Sequence, residues 1–171
     1  MTRAWLLVAA LALAPATQAA PFDPVIEVLR SPRCMNCHTN QPFPRQTDAE
    51  TRHAQNVSRG HDDRGVVAMT CDSCHGASNF GRVPGAPNWH LAPLSMGWEG
   101  LTDAQVCRNI KDPAHNGRRT GSAVIEHMRT DPLVLWAWNP GADRKPPGMP
   151  HERFVAALEA WLAAGMSCPA R

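Results

Sequence analysis

The chain of 171 residues contains no tyrosine and only four phenylalanines, and it has no run of like charges. Its formal net charge of +2 excludes electrostatic attraction to nucleic acid or to anionic membranes as a basis for function. A glycine-rich phosphate loop and the spacing of a hydrolase triad are both missing, which argues against nucleotide and acyl-transfer chemistry. Beyond the N-terminus no apolar stretch reaches membrane length, so we expect no stable membrane insertion.

Large aliphatic side chains are scarce as well. Beyond residue 20, leucine, isoleucine, valine and phenylalanine make up about one residue in six. A fraction this low predicts disorder when the net charge is high, but the charge here is small. We therefore expect another source of hydrophobic core, and large flat cofactors packed among the tryptophans would provide it.

The sequence does contain a five-residue pattern, Cys-x-x-Cys-His, in two copies at residues 34–38 and 71–75. This spacing is the attachment signature of a c-type haem, in which both cysteine sulfurs bond to the haem and the histidine ligates its iron. The sequence therefore predicts two covalently bound haem c groups, with iron as the metal. The predicted attachment and iron-ligating residues are Cys34, Cys37, His38, Cys71, Cys74 and His75.

Two other interpretations of the paired cysteines stay open. Four cysteines in two pairs could make one zinc site, or each pair could form a redox disulfide. The histidine directly after each pair favours haem, and a thioredoxin-like motif would need a βαβ setting that the sequence does not show. Thiolate zinc sites are also uncommon in exported proteins, and this chain carries an export signal.

The export signal is predicted at residues 1–20, where Arg3 precedes an apolar run that ends in small residues. An uncleaved membrane anchor is the alternative, but the run is too short to cross about 30 Å of hydrocarbon. We expect residues 21–171 to form a single dihaem cytochrome c domain in the periplasm or a similar oxidising compartment.

Two further cysteines, Cys107 and Cys168, belong to neither motif. We expect them to form one disulfide, with a pair of free buried thiols as the alternative. Closing a loop of about 60 residues stabilises a fold by roughly 4 kcal/mol in the chain-entropy model.

Short helices separated by long loops are predicted for the rest of the chain. Asp23-Pro24 begins the first, Thr102 and Gln105 form a capping box for the next, and two more cover 121–129 and 150–165. No segment alternates in the manner of a strand. The sequence therefore predicts an all-α, loop-rich, cytochrome c-like domain whose few short helices pack around two haems.

The second axial ligand of each iron separates an electron carrier from an enzyme, because an open position lets a small molecule bind. For the first haem the sequence favours His53, which has enough chain after the motif to reach the far face. His61 and a ligand from the C-terminal half are the alternatives. For the second haem the candidates are Met96, His127 and His90, with Met96 preferred because it lies in an apolar loop.

These features predict a periplasmic electron-transfer protein that relays single electrons through two haems and is not itself an enzyme. The alternative is a haem enzyme, peroxidase-like or a small-molecule reductase, with one open iron position. The expected partner is a redox protein that docks over an exposed haem edge, and no nucleic acid is expected to bind.

Three stretches resemble a family of small exported proteins labelled isoquinoline 1-oxidoreductase subunit. They are GAPNW at 85–89, VCRNIKDP at 106–113 and DPLVLWAW at 131–138. The resemblance implies a haem subunit that takes electrons from a molybdenum hydroxylase, so the partner would be a molybdenum-containing oxidoreductase or another cytochrome. The haem motifs themselves resemble those of multihaem c-type cytochromes in general. This sequence has no molybdopterin or iron–sulfur motif of its own.

Overall fold

Helices and loops make up most of the computed structural model, which describes residues 22–141 and 143–170. Within these ranges the helices are α1 (Asp23–Leu29), α2 (Pro32–Met35), α3 (Asp103–Lys111), α4 (Gly121–Thr130), α5 (Pro132–Leu135) and α6 (His151–Ala163). No helix in the same ranges combines the length and the apolar character that a membrane span requires. The predicted signal peptide lies outside the described residues.

Two small antiparallel sheets show that the all-α prediction is wrong. The strands are β1 (Arg45–Gln46) paired with β2 (Thr51–Arg52), and β3 (Gly65–Val66) paired with β4 (Met69–Thr70). Strands of two residues are too short to show an alternating pattern, so no sequence pattern predicted them. Gly65 has a φ of 91°, and a side chain there would meet the Met69 carbonyl. The fold is therefore mixed, with helices, loops and two hairpins.

The predicted ends of α3 and α6 are confirmed, because local contacts define them. Thr102 accepts a hydrogen bond from the Gln105 backbone N–H, and the Gln105 side chain accepts one from Thr102. Pro150 precedes α6, and Gly165 follows it with a φ of 80°. A local pattern is enough to predict such helices.

The hydrophobic core lies where α1, α3, α4 and α6 meet. Phe154, Leu158 and Trp161 of α6 are almost completely buried, as are Val25 and Leu29 of α1. Burying a side chain of this size contributes about 1.5–3 kcal/mol. The core fixes α1, α3 and α4 beside one another, and these helices supply the walls of the site described below.

A disulfide joins Cys107 of α3 to Cys168, with an S–S distance of 1.98 Å. This is the pairing that the sequence analysis expected. Cys107 is completely buried in the core. The bond therefore ties α3 to the C-terminal tail, 61 residues further along the chain.

A buried arginine holds the polar loop that connects the two Cys-x-x-Cys-His motifs. Arg59 is 5% exposed, and its guanidinium donates to the carbonyls of Thr39 and Ala92 and to the carboxylate of Asp63. Because these acceptors compensate the donors, the buried charge is tolerated. The loop is thus fixed between the first motif and the segment that follows the second.

A second polar cluster centres on Glu99. Its carboxylate accepts hydrogen bonds from Thr39, Gln41 and Arg45. Burial alone would raise the pKa of Glu99, but these hydrogen bonds lower it overall. The cluster therefore fixes the segment that follows the first motif against Glu99, the residue directly after Trp98.

Candidate functional site

The same backbone turn closes both motifs. In each, the histidine N–H donates to the carbonyl of the first cysteine, over 3.0 Å from His38 to Cys34 and 3.0 Å from His75 to Cys71. The turn continues α2 in the first motif and a 3₁₀ turn, Cys71–Ser73, in the second. A single helical turn places both cysteines and the histidine on neighbouring positions, which a covalently attached haem requires.

The first motif opens into a cavity whose walls are mainly apolar. Cys34, Cys37 and His38 line it on one side. Apolar side chains from α1, α3, α4, α5 and the loop before Trp98 complete it, namely Leu29, Ala92, Pro93, Met96, Ile110, Val124, Met128, Leu133, Val134 and Ala137. A largely apolar cavity of this kind suits a cofactor with apolar faces.

His38 is held in one orientation by two contacts. Its Nδ1 lies 2.7 Å from the carbonyl oxygen of Met96, and its ring stacks on Trp98 with centroids 3.6 Å apart. Burial lowers the pKa of His38 to about 4, so the ring is neutral at physiological pH. A carbonyl accepts only from N–H, hence Nδ1 carries the proton and Nε2 keeps a free lone pair. That tautomer is the one a metal ligand needs.

His75 is oriented in the same way. Its Nδ1 lies 2.7 Å from the carbonyl oxygen of Pro84, and its ring stacks on Trp89 with centroids 4.5 Å apart. Burial also lowers the pKa of His75. Both motif histidines thus present a free Nε2, although the second site is more open because Cys74 is exposed.

The two cysteines of the first motif are poorly suited to act as thiolates. Burial raises the pKa of Cys34 to about 12 and that of Cys37 to about 11. Zinc ligands and reactive redox cysteines are thiolates, whereas a thioether sulfur carries no charge and loses little on burial. The four motif cysteines are not in disulfides, and the described residues contain no group of three or more Cys, His, Asp or Glu that could hold a bare metal ion.

His53, predicted as a ligand of the first haem, lies beside the histidine of the second motif. Its ring centroid is 6.2 Å from that of His75, with the planes at 76°. Two imidazoles on opposite sides of one metal ion, with bonds of about 2.0–2.1 Å, have centroids about 6 Å apart. The Nδ1 of His53 is buried without a hydrogen-bond partner among the described residues. Burial and the nearby His75 lower the pKa of His53, and Gln55 opposes them.

His127 of α4, predicted as a candidate ligand of the second haem, lines the cavity of the first motif. Its Nδ1 lies 3.3 Å from Oδ2 of Asp131, which leaves Nε2 free. Burial and the nearby Arg119 lower the pKa of His127, and Asp131 opposes them. His90 lines the same cavity, with its Nδ1 2.5 Å from the Asn88 carbonyl. His127 and His90 thus both line the cavity with His38, and the charge of His127 contributes to the lowered pKa of His38.

Met96, predicted as a candidate ligand of the second haem, lines the cavity of the first motif. Its side chain is 8% exposed and packs in the core, while its carbonyl orients His38. It therefore forms a wall of the first cavity on the side of the motif histidine. His61, the other sequence alternative, is exposed and lines a separate cavity beside Cys71 and Trp89.

The two sites adjoin each other. Cys71 lies near enough to Cys37 to contribute to the raised pKa of that thiol. Trp136, which lines the first cavity, meets Trp89 edge-on with centroids 4.8 Å apart, and Trp89 stacks on His75. Trp89 lies in the apolar loop expected to line a cofactor pocket, but nothing local in the sequence marks which tryptophan will contact a distant histidine.

Comparison with known proteins adds no assignment. No protein-family model matches the chain, and no curated protein or solved structure matches it either. The functional interpretation therefore depends on the motifs, the orientation of the histidines and the cavity that they line.

Proposed function

We propose that this protein is a dihaem c-type cytochrome that carries single electrons between redox partners. The observation that carries the proposal is the pairing of His53 with His75 at 6.2 Å, since it offers two neutral imidazoles at the spacing of axial ligands on one iron. An electron carrier needs both axial positions filled by the protein, whereas an enzyme keeps one open.

Each site offers two cysteines and two histidines to one haem. The first haem would be held by Cys34 and Cys37, with His38 and His127 toward the iron. The second would be held by Cys71 and Cys74, with His75 and His53 toward the iron. When bound, each haem supplies a one-electron change between ferrous and ferric iron.

Unpartnered polar atoms support the fit of a haem to the first cavity. Arg33 Nε and Trp98 Nε1 are buried donors without an acceptor among the described residues, and both residues line that cavity. A haem carries two propionate carboxylates, which are acceptors for such donors. Leaving a buried donor unpaired costs about 1–3 kcal/mol, so a missing acceptor is a physical reason to expect a ligand there.

The chain's own residues orient the ligands and exclude water. Trp98 stacks on the ring of His38, and Trp89 stacks on the ring of His75. A backbone carbonyl accepts a hydrogen bond from Nδ1 of each histidine. The apolar walls of the first cavity keep solvent from that site, while the second site is more exposed. A partner would therefore exchange electrons at the second site, and the small net charge predicts weak salt dependence of docking.

The compartment and the partner are part of the same proposal. The signal-like residues 1–20 and the disulfide Cys107–Cys168 support a periplasmic location. The resemblance of residues 85–89, 106–113 and 131–138 to isoquinoline 1-oxidoreductase subunits supports a molybdenum-containing oxidoreductase, or another cytochrome, as partner.

An optical experiment tests the proposal. The purified protein is reduced, its haem is quantified as the pyridine haemochrome, and carbon monoxide is added. We expect two haems per chain and a spectrum that carbon monoxide leaves unchanged, because two histidines would hold each iron. A shift of the Soret band in the unmodified protein would instead favour the haem enzyme with an open iron.

A further inference from the structure

The four histidines at the two sites differ in what their second ring nitrogen contacts. Nδ1 of His38 and of His75 faces a backbone carbonyl, and Nδ1 of His53 has no partner among the described residues. Only His127, of these four, faces a carboxylate in the described part of the chain, at 3.3 Å from Asp131. A carboxylate therefore lies beside a histidine of the first site, whereas neither histidine of the second site has one at its Nδ1.

Asp131 is fixed in place by its other contacts. Its backbone N–H donates to the His127 carbonyl over 3.1 Å, and its Oδ1 accepts the Leu133 N–H over 2.8 Å as the N-cap of α5. This leaves Oδ2 directed toward His127. Among the described residues that line the first cavity, Asp131 is the one carboxylate, and the charged residues beside it are Arg33 and Arg119.

We propose that Asp131 is a positioning residue for His127 and that its charge lowers the reduction potential of the first haem relative to the second. This inference rests on the proposed function. A carboxylate that accepts from a ligating histidine fixes its ring and raises its basicity. The ferric site carries one more positive charge than the ferrous site, so a nearby negative charge stabilises the ferric form more.

The sign of the effect follows from the cavity's charges. Replacing Asp131 with a neutral residue removes the only negative charge on the described lining and leaves Arg33 and Arg119. Losing this negative charge disfavours the ferric form, hence the potential rises. The second haem has no contact with Asp131 through His75 or His53, so its potential stays the same.

Spectroelectrochemical titration of the haem-loaded protein tests this with Asp131→Asn. Asparagine is also a good N-cap, so α5 keeps its first turn. We expect one of the two potentials to rise and the other to remain. Asp131→Glu, which retains the charge, should move the potential less than Asp131→Asn. If Asp131→Asn is not recovered, Asp131→Ser removes the same charge and also caps a helix well.

Asp112→Asn is a matched control. Like Asp131, Asp112 precedes a proline, caps the N–H two residues on and pairs with a histidine, His115, but its pair is exposed and lies outside the first cavity. This control should leave both potentials unchanged. The haem whose potential changes in Asp131→Asn should be the one whose spectrum is unaltered in His53→Ala.

Three results would overturn the inference: unchanged potentials in Asp131→Asn, equal shifts of both haems, or the same shift in Asp131→Glu as in Asp131→Asn. Haem content separates this failure from that of the proposed function. Protein without haem refutes the proposed function, whereas a fully loaded Asp131→Asn protein with wild-type potentials refutes only the role of Asp131.

Discussion

Removal of the disulfide should destabilise the protein strongly without altering the haem sites. Cys107 and Cys168 lie 61 residues apart, and in the chain-entropy model a cross-link over that distance stabilises the fold by about 4 kcal/mol at 25 °C. The double variant Cys107→Ala/Cys168→Ala loses this contribution. Alanine is chosen because Cys107 is completely buried, and serine would bury an unpaired hydroxyl.

Guanidinium denaturation followed by far-ultraviolet circular dichroism measures the loss. For a domain of this size, a deficit of about 4 kcal/mol lowers the melting temperature by roughly 8–16 °C. The single variant Cys168→Ala is the control, because it breaks the cross-link but keeps the buried sulfur of Cys107. We expect it to lose nearly as much stability as the double variant.

The visible spectrum should be unchanged in both variants, since α3 reaches the first cavity only through Ile110 among its described residues. A loss below about 1 kcal/mol in both variants would refute the entropic argument for this bond. A loss seen only in the double variant would show that packing of the Cys107 sulfur, and not the cross-link, supplies the stability.

Three further predictions follow from the site. His53→Ala should change the spectrum of one haem and allow carbon monoxide to bind its iron, whereas His61→Ala should do neither. A His53→Ala spectrum identical to that of the unmodified protein would show that His53 is not an iron ligand. Met96→Leu should leave the spectra of both haems unchanged, because the backbone carbonyl of Met96, and not its side chain, contacts His38. A spectral change would instead indicate that the Met96 sulfur is an iron ligand. Glu99→Gln should cost about 1.5–3 kcal/mol at neutral pH by weakening charged hydrogen bonds. Because the folded pKa of Glu99 is lowered, the stability it contributes is lost as pH falls below its ordinary value of 4.5, so urea unfolding should show the deficit shrinking in acid; a deficit independent of pH would contradict this.

Local sequence patterns predicted the elements whose ends are defined by neighbouring residues. The capping box of Thr102 and Gln105 begins α3, and Pro150 and Gly165 flank α6, so both helices were predicted close to their observed bounds. The hairpins were missed because two-residue strands have no readable period. The turn between β1 and β2 depends on the positive φ of Thr47 and Glu50, which composition alone does not reveal.

The distal ligands show the limit of reasoning from chain distance. His53 was predicted for the first haem because it follows His38 closely, but Arg59 fixes the intervening loop and His53 lies beside His75. His127 was predicted for the second haem. In the structure α4 packs on α6 and α5, and this packing places His127 on the wall of the first cavity. The sequence named both histidines as candidates, and the tertiary path of the chain places His53 beside His75 and His127 on the wall of the first cavity.

The most direct test of the central claim is the intact mass of the purified protein from a host that matures c-type cytochromes. The account predicts the mass of the processed chain plus two haems, retained under denaturing conditions because thioether bonds hold them. An unmodified polypeptide mass would contradict it.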